Sequence, residues 1–221
     1  MHDKVNRIKK MQLPPVPPEL AHRLPPGQVL TDRFPILHEG DVPSYDMDTW
    51  TLRIFGEVNE VKEISYAELM KLPKTQIKAD IHCVTRWSKF DTEWEGISVR
   101  DLLKTLDVKP QAEFAMIHAD HDYETNLPAQ TLMADNALLA YSFQGAPLTP
   151  KHGWPLRLVI PSLYFWKSAK WIRGIEYITE DRHGYWERLG FHNKAEPFAE
   201  QRFSGEDLNI PDDEWHHKDF D

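Results

Sequence analysis

The sequence predicts an α+β fold in which mixed β-sheets are combined with short helices. Strand patterns and short capped helices alternate irregularly along the 221 residues. No Gly-rich turn joins a strand to a helix, as it would in a doubly wound parallel sheet. The hydrophobic content of 41%, with 8 tryptophans and 10 phenylalanines, is sufficient for a substantial core. We therefore expect one large domain.

The two ends of the chain differ in composition from the part between them. Residues 1–43 contain 8 of the 17 prolines. Because proline lacks the backbone N–H and restricts the residue before it, we expect no helix or central strand in PPVPPEL or LPPGQ. The chain ends on the acidic stretch PDDEWHHKDFD. We expect a Pro-rich arm at residues 1–27, the domain at 28–205 and an acidic tail at 206–221.

Periodicity and capping signals predict the elements between these ends. Ser65 followed by Glu68 is a capping-box pattern that begins a helix, which Pro73 ends, and Ser98 begins a second helix that extends to residue 106. Alternating apolar residues predict strands at 50–58, 75–84, 114–119, 137–143, 156–160 and 171–178. The remaining predictions are a turn at 94–96, a polar loop at 118–124 and a short helix at 128–135.

Composition excludes several classes of protein. The net charge of −9 argues against nucleic acid as the main partner. A single cysteine excludes an internal disulfide. No window approaches 18 apolar residues, so we expect no membrane-spanning helix. The N-terminus MHDKVNRIKKMQLPP has neither the apolar run of a secretory signal nor a twin-arginine motif. We therefore expect a cytoplasmic protein.

The one cysteine lies in the stretch IHCVTRWS, at the predicted end of a strand. Cys83 is preceded by His82 and followed by Arg86, and positive neighbours favour the thiolate that binds metals or attacks electrophiles. A lone cysteine is also common as a small buried hydrophobic residue. Both interpretations of Cys83 are open on this stretch alone.

A second group of residues flanks an apolar strand in KHGWPLRLVIPSLYFWKSAK. It comprises His152, Arg157, Ser168 and Lys170. A forked guanidinium, an ammonium, an imidazole and a hydroxyl together suit a phosphate group. The alternative is that these side chains are solvated at the surface.

These two stretches together resemble one family. The segment QGAPLTPKHGWPLRLVIP, the following Ser168-x-Lys170-Trp171, and an upstream cysteine followed by WEGISVRDLL resemble the sulfite oxidase family of molybdenum-cofactor enzymes. The organisation is similar to that of short bacterial members that consist of the catalytic domain, and the resemblance extends over roughly residues 35–203. It implies a sulfite oxidase-type molybdopterin-binding fold and a cofactor of molybdenum with one molybdopterin.

The resemblance also implies roles for individual residues. Cys83 matches the cysteine that ligates molybdenum, and Tyr123 matches the tyrosine beside the metal's oxo groups. The residues that match the contacts to the cofactor's phosphate and pterin are His152, Arg157, Ser168 and Lys170. Looser matches to pterin contacts are His38, His118 and Asp120. Residues 185–203, called the closing segment below, resemble the final part of the bacterial members and are expected to pack over the core.

The sequence departs from sulfite oxidases at one important position. Those enzymes have adjacent arginines after the cysteine, whereas this chain has Arg86 alone, so the resemblance does not fix sulfite as the substrate. It implies two-electron oxo transfer on a sulfite-like anion or an S- or N-oxide, with Arg86 as the contact to an anionic substrate. No haem, flavin or iron–sulfur motif is present, so we expect a separate electron partner, either a protein or a small carrier.

Two alternatives from other functional classes remain open. The segment His118-Ala119-Asp120-His121-Asp122 has the residue types of a zinc-type hydrolase site. In a strand it would place His118, Asp120 and Asp122 on one face and His121 on the other. The second alternative is a non-catalytic binding protein that retains the fold.

Overall fold

Two β-sheets form most of the regular structure. The computed structural model describes residues 16–38 and 40–204. In chain order the strands of these residues are Val29–Leu30 (β1), Thr51–Gly56 (β2), Lys62–Ser65 (β3), Lys74–His82 (β4), Trp87–Ser98 (β5), Phe114–Ala119 (β6), Glu124–Pro128 (β7), Leu138–Phe143 (β8), Ala146–Pro147 (β9), Arg157–Val159 (β10) and Ile172–Ile178 (β11).

The strands pair in both directions. In the described part of the chain, the first sheet has the order β1-β5-β8-β10, with β4 paired to β5 and β9 to β8, and the second has the order β3-β2-β11-β6-β7. The pairs β1–β5 and β2–β11 are parallel, whereas β4–β5 and β6–β7 are antiparallel. The predicted mixed sheets are therefore confirmed.

The helices are short, as the sequence predicts. In residues 16–38 and 40–204 the α-helices are Tyr66–Leu69, Val99–Leu103 and Tyr185–Arg188, and the 3₁₀ helices are Pro18–Arg23, Ala129–Met133, Pro150–His152 and Phe165–Lys167. The predicted capping box is present, because Ser65 Oγ accepts from Glu68 N–H while the Glu68 carboxylate accepts from Ser65 N–H at 2.9 Å. A cap of this kind contributes about 1 kcal/mol to helix stability.

One apolar core joins the two sheets. Strands of the first sheet contribute Ile97, Leu139 and Leu158, and strands of the second contribute Ile54, Ile117 and Ile175. All are almost completely buried, and each contributes roughly 1.5–3 kcal/mol from removal of its side chain from water. The core fixes the two sheets relative to each other, and with them the loops that join their strands.

The connection from β10 to β11, residues 160–171, passes from the first sheet to the second. It contains the 3₁₀ helix Phe165–Lys167. Its last part runs beside β10, because Leu158 N–H donates to Ala169 O at 2.8 Å and Ile172 N–H donates to Leu156 O at 3.2 Å. The polar residues of this connection are therefore held close to the first residue of β10.

The predicted turn at residues 94–96 is wrong, because these residues lie inside the long strand β5. The register between β5 and β8 shifts at Glu95 and Gly96. A Cβ atom on Gly96 would lie 2.1 Å from the backbone oxygen of Leu139. Glycine at this position thus permits a close backbone approach at a β-bulge rather than a chain reversal.

The predicted polar loop at residues 118–124 is shorter in the structure. His118 and Ala119 belong to β6, and Glu124 begins β7, a strand that was not predicted. The chain reverses through His121 and Asp122, whose φ angles are 62° and 55°. The alternation rule misses β7 because its three central residues are all buried.

The described part of the N-terminal arm contacts the domain. The structure contains a 3₁₀ helix at Pro18–Arg23 where none was predicted, and it begins with proline, at a position where the missing N–H has no helical partner. Arg23 Nη2 lies 2.6 Å from Asp80 Oδ1, and its guanidinium lies 4.4 Å from the Phe90 ring centroid. Residues 1–15 and the predicted tail lie outside the described residues, so the boundaries of arm and tail stay predictions.

A buried ion pair fastens the closing segment to the domain. Lys167 Nζ lies 2.6 Å from Glu187 Oε1, and both side chains are 0% exposed. Lys167 also donates to the backbone oxygen of Asn126 at 2.8 Å. Glu187 also accepts from the indole N–H of Trp166 at 2.9 Å. The closing segment is therefore an integral part of the packed domain.

We expect Lys167→Met to lower the free energy of unfolding by about 3–5 kcal/mol, because it leaves the Glu187 carboxylate buried without its cation. The double variant Lys167→Met/Glu187→Leu should recover most of that loss, since neither charge remains. Urea unfolding of the cofactor-free protein measures both values.

The matched control is Lys104→Met, because Lys104 and Asp101 form an exposed pair at 2.8 Å. We expect this variant to change stability by less than about 1 kcal/mol. A cost for Lys167→Met no larger than that of the control would contradict the importance of the buried pair.

Candidate active site

Cys83 lies directly after β4, at the start of a tight hairpin turn. Its N–H donates to Trp87 O at 2.8 Å, and its carbonyl accepts from Arg86 N–H at 3.0 Å. Arg86 has a φ of 74°, the left-handed conformation that closes a three-residue hairpin loop. Both backbone polar groups of Cys83 are thereby fixed, and these backbone hydrogen bonds set the direction of its side chain.

The Cys83 sulfur is buried among hydrogen-bond donors. The residue is 8% exposed and packs with Val84, Tyr164, Trp166 and Ala195. Burial raises the pKa of the thiol, while the Thr85 hydroxyl at 3.1 Å, the nearby backbone N–H groups and a guanidinium oppose that rise. A sulfur that several donors and a cation favour as thiolate suits a soft transition metal.

The cation that acts on this sulfur is not the one that the sequence suggests. Burial lowers the pKa of His82 to about 4, and its Nδ1 is hydrogen-bonded to Ser88 Oγ at 2.8 Å, so the expected support from a positive His82 is wrong. The guanidinium that lowers the pKa of Cys83 belongs to Arg202. Arg86 lies exposed on the turn.

Arg202 is a functional candidate that the sequence reasoning missed. It is 7% exposed. Its Nη1 donates to Val84 O at 2.7 Å, its Nη2 donates to Pro26 O at 3.1 Å, and its guanidinium lies 5.0 Å from the Tyr164 ring centroid. No local motif marks this residue, because the closing segment brings it to the Cys83 turn only in the folded chain.

The second half of the site is centred on Arg157, the first residue of β10. Arg157 is 2% exposed. Its two Nη atoms donate to the backbone oxygens of His152 and Ser168, each at 2.9 Å. None of the ion pairs found in the described residues gives it a carboxylate partner, and burial lowers its pKa to about 9. A buried cation without an anion favours binding of an anionic group.

The other three predicted phosphate contacts surround Arg157. Ser168 Oγ accepts from Ile160 N–H at 2.9 Å, Lys170 Nζ donates to Lys151 O at 2.9 Å, and the His152 ring stacks on Phe34 at 4.4 Å. We call His152, Arg157, Ser168 and Lys170 the basic cradle.

A glycine makes this close packing possible. A Cβ atom on Gly153 would lie 3.0 Å from Arg157 Cβ and 3.2 Å from Lys170 Cβ, and Gly153 has a φ of 110°. A side chain at this position would push both cations apart while straining the backbone. The structure therefore brings the four cradle residues together around a point where only glycine fits.

The 3₁₀ helix Phe165–Lys167 connects the cradle to the cluster of buried residues around Cys83. The Arg157 guanidinium lies 4.5 Å from the Phe165 ring centroid, while the next residue, Trp166, packs in the Cys83 cluster. The Tyr123 hydroxyl donates to Trp166 O at 2.6 Å. Tyr123 therefore lies between the two halves of the site, with its hydroxyl directed at the backbone of this helix.

The three looser predictions have different surroundings. Asp120 accepts from the Tyr45 hydroxyl, and its N–H donates to Trp171 O at 3.2 Å. The His38 ring centroid lies 5.3 Å from that of Trp171. Asp120 and His38 thus lie next to the residue that follows Lys170.

His118 lies in a separate ionic network. Its Nε2 is 2.9 Å from Glu176 and its Nδ1 is 3.2 Å from Glu124. Both ring nitrogens therefore face carboxylates, and none of the contacts found among the described residues joins this ring to the basic cradle. Within residues 16–38 and 40–204, no group of three or more His, Cys, Asp or Glu side chains could hold a metal ion. The ligand set that the zinc alternative requires is thus not assembled in the described part of the chain.

Comparisons with known proteins identify the family. The model of the oxidoreductase molybdopterin binding domain matches residues 39–186. The chain belongs to this family. The predicted enzyme class, a molybdopterin-dependent oxidoreductase related to sulfite oxidase, and the predicted molybdenum and molybdopterin cofactor are confirmed.

Relatives of different size support this assignment. The chain is 46% identical over 183 residues to the uncharacterized oxidoreductase YuiH of Bacillus subtilis. This alignment covers 82% of the present chain and 92% of YuiH. Identity is 26% to the protein-methionine-sulfoxide reductase catalytic subunit MsrP of Campylobacter jejuni (70% and 59% covered) and 24% to mitochondrial sulfite oxidase of Rattus norvegicus (76% and 37%). The chain thus spans 59% of the length of the reductase subunit and 37% of the length of the sulfite oxidase.

A solved structure confirms the fold. The sulfane dehydrogenase SoxCD from Paracoccus pantotrophus matches with a TM-score of 0.59 and 20% identity, over 67% of this chain and 42% of that one. The predicted sulfite oxidase-type fold is therefore confirmed. The helices of residues 16–38 and 40–204 are all too short or too polar to cross a membrane.

The residues in place fit the cofactor. The Arg157 guanidinium is buried, has no carboxylate partner among the described residues and lies beside the half-buried Lys170 ammonium, an arrangement that suits a phosphate group. A buried cysteine sulfur surrounded by donors suits a molybdenum ligand. The two lie on either side of one short helix, so a single extended group could contact both.

We expect the cofactor-free protein to bind sulfate less tightly as pH rises above about 7. Burial, and then the charge of Arg157, lowers the pKa of Lys170 to about 7. Lys170 therefore carries its charge below that pH and loses it above. Since sulfate keeps its own charge, its dissociation constant should rise by up to about tenfold per pH unit, as isothermal titration calorimetry at constant ionic strength can measure.

Two variants control this prediction. Lys170→Met should bind sulfate weakly and with little pH dependence. Lys151→Met should behave like the unaltered protein, because Lys151 contacts Lys170 through its backbone carbonyl while its side chain is exposed. Sulfate affinity that does not change with pH in the unaltered protein would show that Lys170 does not contact the anion.

Proposed function

We propose that this oxidoreductase performs two-electron oxo transfer on a small sulfite-like anion or an S- or N-oxide. The observation that supports this most directly is the arrangement around Phe165–Lys167. Phe165 covers the Arg157 guanidinium, and Trp166 packs in the cluster around Cys83. An anion site and a metal-ligand site on either side of one turn suit a cofactor that has a phosphate at one end and a metal at the other.

In this proposal the chain's own residues hold and orient the cofactor. Cys83 gives up its proton to become a metal ligand, helped by the donors around its sulfur. Arg157 and Lys170 neutralise the phosphate, while His152 and Ser168 complete the basic cradle. When bound, the cofactor supplies the two-electron redox chemistry by which an oxygen atom is exchanged with the substrate. The looser matches, His38, His118 and Asp120, stay predictions.

Two positive residues near Cys83 favour an anionic substrate. Arg86 is exposed on the turn that follows the cysteine. Burial lowers the pKa of Arg202, and the nearby charge of Arg86 lowers it further. We propose that Arg86 contacts the substrate directly, and that Arg202 adds positive potential from behind the turn. Tyr123 is proposed as the polar side chain at the metal.

The names of the relatives support a substrate with oxygen on sulfur or nitrogen. They include a sulfite oxidase, a protein-methionine-sulfoxide reductase and a nitrate reductase of Hordeum vulgare. Their reactions run in both directions, so the proposal covers oxidation and reduction. A separate electron partner belongs to this proposal, as do the domain boundaries at residues 28 and 205. The cytoplasmic location stays a prediction from the sequence.

The first experiment measures what the protein carries. We expect about one molybdenum by mass spectrometry, and about one pterin by fluorescence after acid oxidation, per chain expressed with molybdate. Stoichiometric zinc without pterin would favour the hydrolase alternative. If the protein contains neither zinc nor molybdenum with pterin after expression in a host that makes the cofactor, the non-catalytic alternative is favoured.

Cys83→Ser tests the metal ligand separately from the cradle. We expect this variant to lose turnover while it retains the pterin, because the residues of the basic cradle are unchanged. Full turnover in Cys83→Ser would contradict the proposed site.

Arg86→Ala tests the substrate contact. We expect KM for an anionic substrate to rise about tenfold or more while kcat changes little, because a lost ground-state contact weakens binding in substrate and transition state alike. A neutral sulfoxide serves as the control substrate, and its KM should not change. Equal effects on both substrates would remove Arg86 from the proposed role.

A further inference from the structure

The hydroxyl of Thr85 is in direct contact with the Cys83 sulfur. Thr85 Oγ1 lies 3.1 Å from Cys83 Sγ and donates to it. Neither composition nor the family resemblance marks Thr85, which lies inside the hairpin turn. The Thr85 hydroxyl could hydrogen-bond to water instead, so its contact with the sulfur requires an explanation.

The turn holds this hydroxyl in place from both sides. Cys83 is fixed by its bonds to Trp87 and Arg86, so the position of Thr85 over the sulfur follows from the loop geometry. Thr85 is half-buried, and its β-branched side chain has few χ1 rotamers. The donor is therefore preorganised toward the sulfur in the cofactor-free chain.

We propose that Thr85 is a positioning residue for the metal site, which orients the Cys83 sulfur and sets the reduction potential of the metal bound to it. This inference rests on the proposed function, since it requires Cys83 as the ligand. A hydrogen bond to a ligating sulfur withdraws electron density from it and thereby stabilises the reduced, more electron-rich metal. Removal of the hydroxyl therefore lowers the midpoint potential.

Other groups around the sulfur act in the same direction but are not interchangeable with Thr85. The backbone N–H groups of Val84 and Thr85 also point at the thiol, and Arg202 contributes its charge. The N–H groups persist in any variant, and Arg202 acts at longer range while its Nη atoms are bonded to backbone oxygens. Thr85 is thus the donor whose contribution can be removed without displacement of the chain.

The test compares Thr85→Val with Thr85→Ser in the molybdenum-loaded enzyme. Valine has nearly the shape of threonine but no hydroxyl, whereas serine retains the donor. We expect Thr85→Val to retain molybdenum and to shift the Mo(VI)/Mo(V) midpoint potential, measured by redox titration with detection by electron paramagnetic resonance, to a lower value. Thr85→Ser should retain the potential, and KM for the substrate should be unchanged in both.

Thr105→Val is the matched control. Thr105 Oγ1 donates to Leu102 O at 2.6 Å, and Leu102 belongs to a different hydrophobic cluster from Cys83, so this variant should keep the unaltered midpoint potential. An unchanged potential in Thr85→Val would overturn the inference. Equal shifts, or equal loss of molybdenum, in Thr85→Val and Thr85→Ser would also overturn it, because serine retains the hydroxyl.

The outcome can be separated from failure of the proposed function. If Cys83→Ser retains full turnover, Cys83 is not the ligand and the proposed function fails at that point. If Cys83→Ser loses turnover while Thr85→Val keeps both metal and potential, only the role of Thr85 fails. A lower potential in Thr85→Val alone supports both.

Discussion

The structure depends on the buried pair of Lys167 and Glu187. A buried cation and a buried anion are stable only while they remain together, so the position of Lys167 determines where the closing segment lies. Lys167 is also part of the connection that carries Trp166 to the cluster around Cys83 and Ser168 to the basic cradle. One electrostatic interaction thereby fastens the helix that joins the two halves of the candidate site.

The sheets contribute to this site through their edges and connections rather than through their faces. β4 ends just before Cys83, β10 begins with Arg157, and the crossing between the sheets carries Ser168 and Lys170. Glycine at position 153 permits the two cradle cations to approach each other. The chemistry is therefore concentrated where the chain passes between rigid elements, a common arrangement for binding sites.

Much of this organisation could be predicted from the sequence, and the remainder has identifiable causes. β6 is predicted with its observed bounds, because its flanks are clearly polar, and the Ser65 cap is recognised because capping is local. β7 is missed because buried polar residues such as Asn126 remove its alternation. Arg202 is missed because its proximity to Cys83 depends on tertiary packing, and His82 is misjudged because its burial cannot be read from neighbouring residues.

The left-handed conformation of Arg86 has a consequence for the evolution of the turn. A residue with a side chain is disfavoured there by roughly 1–2 kcal/mol, and glycine would relieve that strain. Selection for stability alone would thus replace the arginine, whereas selection for attraction of anions would retain it. With the proposed role of Arg86, stability and substrate binding would have opposite requirements at this position of the Cys83 turn, and chains that act on uncharged substrates would be free to adopt glycine.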